Sequence, residues 1–414
     1  MQLAVLPEAH EPLIVVGTSV RKPLAVLQPF LTSLAWQEPP KRCKLHYVFV
    51  SDFTKEQADA EAYLRDWVKE RGGEILRAPP APIEDFSDAP GLPTHQWTAS
   101  AMRRVGTSKN KILQRALALK ADAIWLADAD LLMDRTTLLS LWSVEKPIAC
   151  AVYWTHWVRA TKETVPSHAG PQTWLRHPYI LDGRGMEEWE FRAKLVNREL
   201  TRVWGQGACS LIRTPVIQAG ISFEQIPERT MDQGLMLGED RQFCIRAERA
   251  HIDMWAEPWS DIFHLYHLPD DLQRIQAMTA RLSAPHPLRA TLGDLVSLRL
   301  DALEPFPQPN NQWYRVPPQF VRGRLGALAL QPELEQAILD MDRGTERIVP
   351  VHCPLHYPLG YMRGKRRLIR VTLIDCKKFS YAPVIEEELI PKGSTQMDRA
   401  TFNQRQLTAV TTGG

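Results

Sequence analysis

Along the first half of the chain, short unbroken apolar runs alternate with stretches whose apolar residues recur every three or four positions. The runs at 13–17 (LIVVG), 45–50 (LHYVFV), 74–77 (EILR) and 123–127 (AIWLA) predict buried strands. Between them, residues 23–35 place Leu24, Leu27, Leu31 and Leu34 on one helical face. Residues 55–71 do the same with Ala58, Ala62, Leu64 and Trp67, and Gly72-Gly73 ends that helix. A third helix is predicted over 109–120, capped by Ser108 and carrying Ile112, Leu113, Ala116 and Leu119 inward. Strand and helix in alternation imply a mainly parallel sheet with helices on both faces.

After the fourth strand the pattern continues with a helix over 136–144 and an apolar run at 148–153. Gly205-Gln206-Gly207 opens a strand over 208–213, and residues 240–249 form a helix with Glu239 and Asp240 at its start. Strands follow at 252–255 and 262–267. Long Pro-, Trp- and Arg-containing loops are expected at 79–107, 155–203 and 223–237, where a sheet of this kind binds its substrates. Residues 270–282, 288–303 and 325–342 look helical. The alternation LIRVTLIDC within 348–390 predicts a β-rich appendage, and 398–414 reads as a tail. The division is then 1–268 as the main α/β domain, 269–345 helical and linking, 346–397 a small β module, and 398–414 flexible.

Composition narrows the classes. The 414 residues suffice for two or three domains, and 44% apolar with 24% charged residues is ordinary for a globular chain. A formal net charge of +2 gives no global pull toward nucleic acid or membrane. No run approaches the roughly 20 apolar residues of a membrane span, and the N-terminus lacks the basic and apolar segments of a leader. Cys150, Cys209 and Cys244 sit in apolar runs, which fits buried thiols in a reducing compartment; a cytoplasmic location is expected.

The chemistry gathers at the end of the fourth strand. Asp128-Ala129-Asp130 sets two carboxylates at i and i+2, and on an extended segment both point the same way. Placed at a crevice, they can share one hard cation, whose spare positions hold a diphosphate.

Taken together, VVGTSVRKP (15–23), Ser51-Asp52, KNKILQRALALKADAIWLADADL (109–131), PIACAVYW (147–154), WGQGACSLIRTPV (204–216), GEDRQFCIRAERAHIDMWAEP (238–258) and DIFHL (261–265) resemble a GT-A nucleotide-sugar glycosyltransferase. The closest look is to family-2-like enzymes and the Anp1 group of mannosyltransferases, over about residues 13–268. The motif order D-x-D, E-D, His carries it.

The resemblance implies a GT-A fold with a C-terminal helical and β-rich appendage. It also implies a divalent metal (Mn²⁺ or Mg²⁺) and a nucleotide-sugar donor, a UDP-sugar first and a GDP-sugar second. Asp130 is the first choice of metal ligand, with Asp128 acting through water or on the ribose. His264 would be a further ligand, and His267 is its rival. Asp240 would be the general base, which implies inversion at the anomeric carbon, and Glu239 would orient acceptor hydroxyls. Thr18, Arg21, Asp52, Lys109 and Asn110 would meet the nucleotide, the last two from a helix start. Trp154 and Trp204 are candidate sugar platforms.

The acceptor is open among saccharide, lipid, protein and a hydroxymethylated DNA base. The basic run 363–370 (RGKRRLIR) would contact nucleic acid in the last case. His352, Cys353, His356 and Cys376 are a weaker zinc candidate, since their spacing is not that of a standard finger. Two other classes compete. A nucleotidyltransferase would want a Gly-rich loop after the first strand, and GTSVRKP carries a single Gly. The other is a non-catalytic sugar-nucleotide binding module.

Overall fold

The computed structural model describes residues 11–40, 42–78, 99–157, 168–175, 186, 188–196, 198–226, 238–265, 272–285, 290, 294–303, 306–307, 313–314, 319–325, 332–352 and 366–378. The chain divides into two compact units, the first reaching Ser283 and the second spanning Ala284–Tyr381.

The first unit is built on an eight-stranded sheet. Its first four strands in chain order are β1 (Leu13–Val20), β2 (Lys44–Ser51), β3 (Gly73–Arg77) and β4 (Ala123–Ala127). Edge to edge the order is Thr201–Val203, Met254–Glu257, Ile148–Ala151, Cys209–Arg213, β4, β1, β2, β3. Cys209–Arg213 runs antiparallel to both neighbours and Thr201–Val203 antiparallel to its one neighbour, while the remaining pairs are parallel. The mainly parallel sheet expected from the alternating pattern is therefore present.

Residue alternation explains how β4 serves two layers. Ala123, Trp125 and Ala127 pack with Phe30, Leu31 and Leu34 of helix α1 (Leu24–Ala35) and with Leu64 and Trp67 of α2 (Ala58–Arg71). Ile124 and Leu126 face the other way, onto Ile112, Leu113 and Ala116 of α3 (Ala99–Ala118) and onto Phe243 and Ala247 of the helix Glu239–Arg249. A strand covered on both faces must be apolar throughout, and every residue of β4 is buried. Gly17 of β1 lets α3 lie close, since a Cβ there would overlap Ile112.

Three expectations are corrected. β1 continues to Val20 instead of ending at Gly17, so Thr18 falls inside the strand. α3 begins at Ala99, not at Lys109, because Gly106 stays within the helix instead of ending a loop. Residues 294–302, read as helical, form a strand. Val296, Leu298 and Leu300 alternate toward the second unit's core, and cross-strand partners (Leu298 opposite Leu373, Leu300 opposite Val371) decide in favour of period two.

The second unit is a four-stranded antiparallel sheet, ordered Gln319–Arg324, Asp294–Ala302, Arg366–Lys378, Glu346–His352. Leu334 and Ile338 of the helix Pro332–Ile338 pack on Val296, Leu298, Val371 and Leu373. Among the described residues, no helix is long and apolar enough to cross a membrane.

Candidate functional site

The chain leaves β4 at Ala127 and turns at once. The Asp128 N–H donates to the Ala208 carbonyl at 3.0 Å, and the Leu131 N–H donates back to the Asp128 carbonyl at 3.3 Å. The two aspartates therefore lie in a tight turn, not on the extended segment expected from the sequence. Past the turn, β5 (Leu131–Met133) pairs antiparallel with the strand Ile262–His264, setting His264 opposite Leu131. The Leu265 N–H donates to the Asp130 carbonyl at 2.8 Å, and the Asp261 N–H donates to the Asp134 carboxylate at 2.8 Å. These bonds bring a distant histidine to the D-x-D turn.

At the turn, Asp130 Oδ2 stands 3.4 Å from His264 Nε2 and 2.7 Å from Lys22 Nζ. Asp130 is buried, which by itself raises a carboxyl pKa; the Lys22 ammonium and His264 outweigh this and hold it well below the usual range. Tyr153 packs against His264, ring centroids 5.6 Å apart. Burial, with Asp128, Asp130 and Asp240 nearby, pushes the Tyr153 hydroxyl pKa well up.

A second group forms where α3 meets the helix Glu239–Arg249. Gly106 allows the approach, since a Cβ there would stand 2.8 Å from the Phe223 carbonyl oxygen and 3.2 Å from Glu239 Cβ. Three residues on, Lys109 is buried; its Nζ donates to Asp240 Oδ1 at 2.7 Å and Glu239 Oε1 at 3.0 Å, with the Phe223 ring 5.2 Å away. Burial would lower the lysine pKa, but Asp240, Glu239 and Asp128 together raise it well above the usual value. Glu239 is raised by burial and by Asp240, against the pull of Lys109. Asp128 lies between the two groups. Burial pushes its pKa up to about 7, Lys109 opposes this, and Asp130, Asp240 and Glu239 add to it.

The other expected residues fall as follows. Thr18 is 1% exposed and lies inside β1. Asp52 receives Arg21 at 3.4 Å on Oδ2 and a close Arg104 guanidinium on Oδ1, so both its oxygens face arginines. Lys109 and Asn110 sit mid-helix, not at a helix start. Lys109 serves the two acids, and Asn110 accepts the Phe223 N–H at 2.8 Å. Trp154 packs in a core with Leu132, Phe263 and Leu265, and Trp204 packs against Ile226 and Ile245. His267, Cys353, His356 and residues 363–365 lie outside the described residues, as does much of the stretches read as loops. Arg370, from the basic run, meets Glu346 at 3.6 Å. Lys22 and Arg104 were not foreseen. Lys22 directly follows Arg21 in RKP, and once β1 is known to reach Val20 both stand just past the strand end.

Two ligands cis about an octahedral ion with bonds of about 2.1 Å stand roughly 3 Å apart. The Asp130 and His264 pair, at 3.4 Å, is near that spacing. Among the described residues, no three such side chains are gathered around one point.

No family model matches the chain, and no curated protein does. Among solved structures, the chain is similar to S. aureus TarS, at 14% identity and a TM-score of 0.34, with 65% of this chain covering 39% of that one. A TarS 1–349 structure in complex with UDP gives 14% identity and a TM-score of 0.33, with 65% and 64% covered. GalNAc-T7 with UDP, GalNAc and Mn²⁺ gives 12% identity and a TM-score of 0.37, with 62% and 44% covered. The chain thus spans less than two thirds of each of these proteins.

Proposed function

We propose that the first unit is an inverting, metal-assisted glycosyltransferase that takes a nucleotide-sugar donor. One observation carries the reading. Asp130 of the D-x-D turn beyond the end of β4 and His264 of a distant strand stand 3.4 Å apart, while the Glu239-Asp240 pair opens a helix whose acids are held by Lys109 and act electrostatically on Asp128. Crevices beyond strand ends are where sheets of this kind bind nucleotides.

In this reading Asp130 and His264 hold a Mn²⁺ or Mg²⁺ ion, with Asp128 contributing through water. The bound ion supplies charge neutralisation to the diphosphate leaving group. Asp240 takes the proton of the acceptor hydroxyl as that oxygen bonds to the anomeric carbon and the bond to the diphosphate oxygen breaks. Lys109 occupies Asp240 Oδ1 and so leaves Oδ2 to face the acceptor; with 27% of its side chain exposed, Asp240 is the more accessible of the two acids. Glu239, at 8% side-chain exposure, sits deeper and fits an orienting role. Attack from the Asp240 side as the diphosphate departs on the other inverts the anomeric carbon.

The donor reading is a UDP-sugar, with a GDP-sugar second. The acceptor is a saccharide, lipid or protein hydroxyl, or a hydroxymethylated DNA base. A thermal-shift screen of UDP- and GDP-sugars with Mn²⁺ tests the proposal, because a ligand that binds only the native state raises Tm by mass action. One donor raises Tm only with the metal present. A flat response to every nucleotide sugar sinks the reading.

A further inference from the structure

Lys22 lies two residues past the end of β1, and its side chain reaches across to the D-x-D turn. The ion pair with Asp130 is shielded, the two side chains being 16% and 8% exposed. The oxygen that Lys22 takes, Oδ2, is also the one His264 approaches at 3.4 Å. A cation placed between Asp130 Oδ2 and His264 would therefore compete with the ammonium for that oxygen. An ammonium and a divalent ion cannot both crowd one carboxylate oxygen, since like charges a few ångströms apart repel strongly where water is scarce.

One partner has to yield, and the backbone says which. Asp130 is pinned, its carbonyl accepting the Leu265 N–H at 2.8 Å inside a turn closed at Leu131. His264 is fixed in register by the strand pairing with β5. Lys22 ends on a flexible four-carbon stem and can swing. From its place two residues past β1, the ammonium can turn toward an anion arriving at the end of that strand.

We propose that Lys22 is the resident counter-ion of Asp130, and that it surrenders this position to the divalent cation as it moves onto the donor's diphosphate. Metal and nucleotide then enter together, and the metal alone binds weakly. This rests on the metal and donor reading above.

The test is Mn²⁺ binding to the full chain, followed by electron paramagnetic resonance, alone and with UDP or GDP, so that no turnover is needed. In the wild type, nucleotide tightens Mn²⁺ binding on the order of tenfold or more, a usual size for linked sites. Lys22→Met binds Mn²⁺ without nucleotide several-fold more tightly than the wild type does, and nucleotide then tightens it by a smaller factor than in the wild type, since the phosphates still ligate the ion. Lys22→Arg keeps the block, because the charge stays on the carboxylate. Lys22→Gln repeats the measurement if the methionine variant does not fold. Asp130→Asn removes the site. If Lys22→Met and Lys22→Gln bind Mn²⁺ no more tightly than the wild type at a site that Asp130→Asn abolishes, the role of Lys22 is wrong and the metal site stands. If Asp130→Asn binds Mn²⁺ as the wild type does, the metal site fails and the role of Lys22 with it.

Discussion

Asp128 and Asp130 stand in one turn yet are pushed in opposite directions. Asp130 has a lysine and a histidine on one oxygen and stays ionised; Asp128 shares Lys109 with two other carboxylates and is raised to about 7 from a usual 3.8. An acid whose folded pKa exceeds its unfolded value binds more protons when folded, so its contribution to stability is lost as pH rises from about 4 to about 7. Asp128→Asn removes that penalty. Its Tm relative to the wild type, without metal, is expected to rise between pH 5 and pH 8, and a difference constant across that range would contradict the burial argument. At Asp130, replacement by Ala is expected to abolish metal-dependent donor binding in calorimetry, while donor binding unaffected by either the change or the metal would contradict it. Much of this was legible in the sequence. D-A-D, E-D and the late histidine each fall at an element boundary, where spacing and polarity mark them. Lys22 and Lys109 were not legible as partners of these acids, because an ion pair across two elements leaves no periodic trace.

At the scale of elements, the site depends on how closely α3 can approach the helix Glu239–Arg249. Gly106 sets that distance, and because a glycine in sequence reads as a loop residue, the pattern alone puts the start of α3 later than Ala99. Gly106→Ala would drive a methyl into the Phe223 carbonyl and is expected to cost about 1–3 kcal/mol in denaturant unfolding. If the helices part, Lys109 loosens its hold on Asp240, and kcat falls more than donor affinity. A variant as stable and as active as the wild type would show that the contact does not matter. The strands of the first unit were readable because each apolar run is long enough to be covered on both faces. The strand Asp294–Ala302 was misread because Val296 and Leu300 also fit a helical spacing of four, and only the pairing with Arg366–Lys378 separates the two.

For the whole molecule, the fold gathers residues from four distant parts of the chain beyond the ends of β1 and β4: Lys22, the D-x-D turn, the start of the helix Glu239–Arg249, and His264. The second unit has its own antiparallel sheet and core, formed by Val296, Leu298, Leu334, Ile338, Val371 and Leu373. The net charge of +2 over 414 residues gives no global pull toward DNA. Glycosyl transfer with Asp240 as the base is put to the sharpest test by Asp240→Asn. Donor affinity by calorimetry and turnover of the donor found in the screen are measured side by side, with and without Mn²⁺. The account predicts donor affinity within a few-fold of the wild type and turnover reduced by on the order of 10²–10⁴-fold. Turnover undiminished in Asp240→Asn would contradict it.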